Sequence, residues 1–170
     1  MKIEIFPIVD STGKVIGKAS RAECHSVSFL LHPVVHLHLI NSRGELYLQR
    51  RALSKDIQPG KWDTSVGGHV DYGETIEQAL LREASEELGI SNFTPVFMHQ
   101  YTFTSDVESE LVHSYYTLHD APVNPDPVEI SEGRFWTPEE IVNAMGSNTF
   151  TPNFEVEFQY LYSHHLLPLK

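Results

Sequence analysis

Residues 67 to 90, GGHVDYGETIEQALLREASEELGI, gather one Asp and five Glu around a single arginine, Arg82. From Glu74 to Leu88 the apolar residues Ile76, Leu80, Ala84 and Leu88 step by four, with Leu81 beside them. That repeat predicts an amphipathic helix over 74–88, stopped by Gly89. On it Glu83, Glu86 and Glu87 stand at i, i+3 and i+4, which puts them on one face beside the apolar stripe. Like charges at this spacing cost about 0.2–0.5 kcal/mol per pair. Spacing alone leaves two readings open: a solvated helix face, or a place for a positive group. A hard divalent cation suits the second, because Mg²⁺ takes carboxylate oxygens and keeps waters while bridging to phosphates.

The rest of the chain alternates in steps of two. Residues 2–9 predict a first strand followed by a turn at DSTGK. VVHLHLI (34–40) and ELYLQRR (45–51) flank the turn NSRG and predict a hairpin. In the first of these, His36 and His38 fall on the face opposite Val35 and Leu37 and read as structural or surface residues. A loop broken at Pro59-Gly60 leads to a short strand over 62–70. Strands follow at 94–103, 110–118 and around GRFW (133–136), then a capped helix at TPEEIVNAM and a last helix over 152–165. Strands with interspersed helices point to an α/β sandwich on one domain, residues 1–170, which is a usual domain size. Trp62 and Trp136 read as core or lip residues, the pair His164-His165 as solvated, and Asp71 and Glu77 as surface charge.

Charge and cysteine usage narrow the partners. A formal net charge of -11 argues against a broad nucleic-acid surface, although a small anionic ligand can still be held by a few local cations and by metal ions. No apolar run approaches the roughly 20 residues of a membrane span, and the N-terminal stretch reads as a strand rather than a signal peptide. The one cysteine, Cys24, cannot form an internal disulfide and is compatible with a reducing cytoplasm. A homodimer is compatible with the sequence, which sets no oligomeric state.

Gly68, Glu74, Arg82, Glu83, Ala84, Glu86, Glu87, Gly89 and Ile90 match G-x5-E-x7-R-E-U-x-E-E-x-G-U at every fixed position, U being aliphatic. The stretch resembles the Nudix box, and the surrounding strands resemble a Nudix domain, an α/β/α sandwich with a mixed β-sheet. The resemblance implies a hydrolase cleaving a small organic diphosphate by water attack at phosphorus, with Mg²⁺ or Mn²⁺ as cofactor. Glu86 and Glu87 would be metal ligands and Glu83 a third ligand or a base, while Arg82 would pair with Glu74 and hold the loop to the helix. Gly68 would let the backbone pass close to a metal-bound phosphate.

RRALSK (50–55), PGKW (59–62) and GHV (68–70) resemble the type 1 isopentenyl diphosphate isomerases, which share the Nudix fold. That likeness implies a second divalent-ion site at His25, His32, His69, Glu108 and Glu110, and diphosphate-binding cations at Arg21, Arg51 and Lys55. The chain departs from the isomerases where their catalytic cysteine gives way to Gly67 and a diphosphate-binding arginine to Glu83. Losing a thiol removes a proton-transfer group, and Glu83 completes the hydrolytic box. A hydrolase is therefore the expectation, with an isomerase-like enzyme and a non-catalytic nucleotide or sugar-diphosphate sensor as alternatives.

Overall fold

A computed structural model describes residues 2–170. A two-stranded antiparallel ribbon comes first, β1 (Ile5–Val9) with β2 (Val15–Ser20), followed by a single helical turn, α1 (Arg21–Cys24). Neither β2 nor α1 was foreseen from the sequence. The main sheet has seven strands: β3 (Leu31–Ile40), β4 (Leu46–Arg51), β5 (Trp62–Asp63), β6 (Val66–His69), β7 (Val96–Thr104), β8 (Ser109–Leu118) and β9 (Ile130–Trp136). Its path runs β5-β4-β3-β8-β7, with β6 also on β3 and β9 also on β4. The β3–β8 pair is parallel and the other pairs are antiparallel, so the sheet is mixed.

Helix α2 (Ile76–Leu88) lies on one face, and α3 (Pro138–Ala144) and α4 (Pro152–Ser163) supply the other layer. α2 begins two residues later than the periodicity predicts, because Thr75 accepts from Gln78 N–H and Gln78 returns the bond in a capping box. Gly89 ends it in the left-handed region at φ 65°. Its buried stripe is Ala79, Leu80, Ala84 and Leu88, packed on Val35, Leu37 and Leu39 of β3; Leu81, counted with that stripe in the sequence, is exposed.

The other face of β3 carries His36, His38 and Ile40, all buried. On this side Phe154, Phe158 and Leu161 of α4 pack with Ile40, Leu46 and Leu48. Alternation of polar with apolar residues usually marks a half-exposed strand. Here α4 covers the polar face as well, so the surface reading of His36 and His38 is corrected: both histidines are interior.

Candidate active site

Helix α2, the end of β6 and the loop before α2 form one wall of an open cleft of about 1250 Å³. Arg82 ties this wall together. Its Nε and Nη2 donate to the two oxygens of Glu74 at 2.8 and 3.0 Å, and Nη2 also donates to the His69 carbonyl at 2.9 Å. Nη1 donates to Glu83 at 2.7 Å and to Glu86 at 3.4 Å. One planar guanidinium thus locks the 69–74 loop to the helix. Gly68 has a more immediate reason to be glycine than approach to phosphate: a Cβ there would lie 2.1 Å from the Glu83 carboxyl carbon. The Glu83 side chain rests directly on this stretch of backbone.

Glu83, Glu86 and Glu87 all line the cleft. Burial, outweighing the pull of Arg82, pushes the Glu83 carboxyl up to about 7, with Glu86 and Glu74 adding to the rise. Burial and the Glu83 charge push Glu87 up to about 8, although Gln49 Nε2 donates to it at 2.7 Å and Gly67 N–H at 3.3 Å. Burial makes both carboxylates reluctant to ionise, and a bound divalent ion would favour their charged forms.

A second cluster lies beside this wall and shares His69 with it. His25 follows α1, His32 is on β3, His69 ends β6 and Glu108 immediately precedes β8. Their ligand atoms all lie within 4.8 Å of one another. His25 Nε2 is 3.3 Å from His69 Nε2 and 2.8 Å from Glu108 Oε2. His32 Nδ1 donates to the Leu30 carbonyl at 2.9 Å, which turns its Nε2 lone pair inward. His32 Nε2 and Glu108 Oε2 are buried without a hydrogen bond of good geometry among the described residues, the His25 contact to Glu108 being close but misaligned. Phe6 stacks on His69 at 4.4 Å, nearly parallel. Burial first, then His32, Arg21 and His25, holds the His69 imidazole well below its usual pKa, so it stays neutral with a lone pair to give. Three imidazoles and a carboxylate, two of whose ligand atoms are orphaned, fit a borderline divalent ion.

Glu110 stands outside this group. It lines the same cleft, but its carboxylate takes a bond from Asn153 Nδ2 at 3.4 Å, and burial together with Glu108 pushes it up to about 7. The basic residues reach the cleft already engaged. Arg21 faces Glu4 at 3.4 Å, Arg51 faces Asp63 at 3.6 Å and donates to the Ile57 carbonyl, and Lys55 pairs with Glu129.

The sequence reading missed a buried network behind the cleft. Glu157 of α4 accepts from His36 Nδ1 at 2.6 Å, His38 Nε2 at 2.9 Å, Tyr101 Oη at 3.1 Å and the Ser114 hydroxyl. A signal was present: Glu157 sits at i+3 from Phe154 on a stripe that continues through Phe158 and Leu161, where a helix buries its apolar residues.

Residues 30–154 match the NUDIX domain model. The chain belongs to the NUDIX family. The isopentenyl-diphosphate Delta-isomerase of Paenarthrobacter aurescens (strain TC1) is 31% identical over 175 residues, covering 98% of this chain and 95% of that protein. Isopentenyl-diphosphate Delta-isomerase 1 of Photorhabdus laumondii subsp. laumondii is 32% identical over 171 residues, covering 96% and 97%. Among solved structures, DR0079 from Deinococcus radiodurans superposes with a TM-score of 0.82 at 28% identity, covering 94% of this chain and 99% of that one. These relatives overturn the expectation of a diphosphate hydrolase: the curated proteins that align along nearly the whole chain carry the isomerase name. The nine fixed positions of the 68–90 motif agree with membership of the family; they do not choose a reaction. Among the described residues no helix is long and apolar enough to cross a membrane.

Proposed function

We propose that this NUDIX enzyme is isopentenyl-diphosphate isomerase-like, shifting a carbon–carbon double bond within a short prenyl diphosphate by adding one proton and removing another. The observation that carries the reading is the His25, His32, His69 and Glu108 cluster. Three of its four members lie outside the 68–90 motif, at positions marked by likeness to the isomerases, in a chain whose relatives of that name align almost end to end.

Glu83, Glu86 and Glu87 would hold Mg²⁺ or Mn²⁺, and the His/Glu cluster a second divalent ion. When bound, these ions neutralise diphosphate oxygens and fix the charged end of the substrate. Arg51 and Lys55 line the same cleft and can exchange their carboxylate partners for phosphate oxygens. The hydrocarbon end would lie toward Gly67, the position where the resemblance places the isomerases' catalytic cysteine. Position 67 brings no thiol, so proton transfer falls to other groups around it. The buried, unpaired Cys24 supports a reducing compartment such as the cytoplasm.

Incubation with isopentenyl diphosphate and Mn²⁺ or Mg²⁺ in D₂O tests this. Deuterium in the recovered prenyl diphosphate, with appearance of the allylic isomer, is expected. Unlabelled substrate, or phosphate release without label, overturns the reading.

A further inference from the structure

His36 on β3 pairs directly across from Gly67 on β6. A Cβ built at Gly67 would sit 3.5 Å from His36 Cδ2 and 3.7 Å from Nε2, so the outer edge of the imidazole borders the space a side chain at 67 would occupy. The ring lines the cleft although the residue is only 8% exposed. Its Nδ1–H donates to Glu157 at 2.6 Å, and Nε2 makes no hydrogen bond among the described residues. Glu157 is held by His38, Tyr101 and Ser114 as well, which fixes the carboxylate and with it the ring.

We propose that His36, oriented by Glu157, is a proton-transfer residue of this enzyme, acting through Nε2 on substrate carbons placed against Gly67. The proposal rests on the isomerase-like reading above. A carboxylate behind an imidazole sets its tautomer and stabilises its cation, an arrangement suited to general acid–base work. Burial opposes the charge on His36, but Glu157 outweighs it, with Asp63 and Glu110 adding, and the imidazolium persists up to about 9. The charged or titratable groups facing the ring and its partner are Glu157, His38, Tyr101, Asp63 and Glu110.

The step balances within one residue. The π electrons of the terminal double bond form a C–H bond with the Nε2 proton, leaving neutral imidazole and positive charge on the central carbon. That imidazole then takes a proton from the neighbouring methylene on the other side of the central carbon, and the released C–H pair becomes the new double bond. His36 ends as it began, and nothing is oxidised or reduced.

The test is turnover of isopentenyl diphosphate by wild type, His36→Asn and His36→Ala, each checked for fold by circular dichroism. Asparagine can keep the bond to Glu157 while deleting the Nε2 end. Both variants are expected to lose about 10²-fold or more in kcat with KM little changed, and added imidazole restores turnover to His36→Ala. A folded His36→Asn that retains wild-type kcat overturns the proposal and leaves the isomerase-like reading standing. An inactive wild type overturns both. Loss without imidazole rescue, or an altered KM at unchanged kcat, assigns His36 a structural part and also overturns it.

Discussion

Glu157 and Glu87 press on the same sheet from opposite sides, one from α4 and one from α2, and burial penalises the charge on both. Their outcomes diverge. Glu157 meets two imidazoles, a phenol and a hydroxyl, and the charge on His36, with hydrogen bonds from both imidazoles, holds its carboxyl well below the usual range despite burial. Glu87 meets an amide, a backbone N–H and other acids, and rises to about 8. The fold supplies the counter-charge in one place and leaves it out in the other. Where it is supplied, the site is closed and positions a side chain; where it is missing, the site opens on the cleft and can recruit a cation.

The largest effect should come from breaking the closed side. Glu157→Ala strands two interior imidazoles and the Tyr101 hydroxyl, and removing one partner of a buried ion pair costs about 3–5 kcal/mol. For a chain of this size that is a fall of roughly 10 °C in Tm. Linkage gives the pH signature. The depressed Glu157 carboxyl contributes stability above its unfolded pKa that is lost as pH falls through its low folded value. The raised His36 contributes fully below its unfolded value near 6.5 and loses that contribution as pH rises through about 9. Thermal melts from acid to pH 10 should therefore show a wild-type advantage over Glu157→Ala that shrinks at both extremes. A flat difference below about 1 kcal/mol would show that the network does not hold His36 as a charged partner of Glu157.

The open side should answer to metal instead. Glu83 and Glu87 have folded values, about 7 and about 8, above the ordinary carboxyl value of 4.5. Their protonation favours the folded state at low pH, and that benefit fades as pH rises through those values. Metal-free protein should be less stable at pH 8 than at pH 5.5, and Mn²⁺ should restore more at the higher pH. The gain is about 2–3 kcal/mol at a hundredfold excess over Kd. Glu87→Gln should lessen the metal-free pH loss and most of the Mn²⁺ gain, since an amide needs no counter-charge. The cleft leaves Glu87 partly open to water, which limits its share to about 1–2 kcal/mol. Equal Mn²⁺ shifts at both pH values, or in the variant, would erase the distinction between the two carboxylates.

How much of this was legible depends on whether local pattern or distant packing decides it. The strand steps and the period of α2 are written in adjacent residues, and so is the 68–90 motif; the α/β/α layering follows from them. Arg82 and Glu74 are eight residues apart in one motif, and their bond is local. The His36–Glu157 bond spans 121 residues and depends on α4 covering the second face of β3. Alternation along VVHLHLI carries no trace of that cover. The reaction was harder still. Glu83 and Gly67 each pointed to hydrolysis when weighed singly, while likeness spread thinly along nearly the whole chain points to the isomerases. Glu110, two residues from Glu108 on one strand face, was grouped with it, yet its carboxylate turns to Asn153 and leaves a four-member cluster.

The smallest effect sharpens the comparison from outside both sites. Arg21 faces Glu4 at 3.4 Å with 46% and 48% of the two side chains exposed, a pair with neither burial to oppose nor a fixed frame to hold it. Arg21→Ala should change stability by about 0–1 kcal/mol, less still in 0.5 M salt. Arg21 nevertheless lines the cleft, so its charge can act on an anionic substrate without contributing to the fold. Thermal melts should leave the variant beside wild type, while KM for isopentenyl diphosphate rises several-fold at low ionic strength and converges as salt is added. A large stability loss would mean that charge at the rim is held as firmly as charge in the interior. The contrast between Glu157 and Glu87 would then reflect something other than burial and the supply of partners.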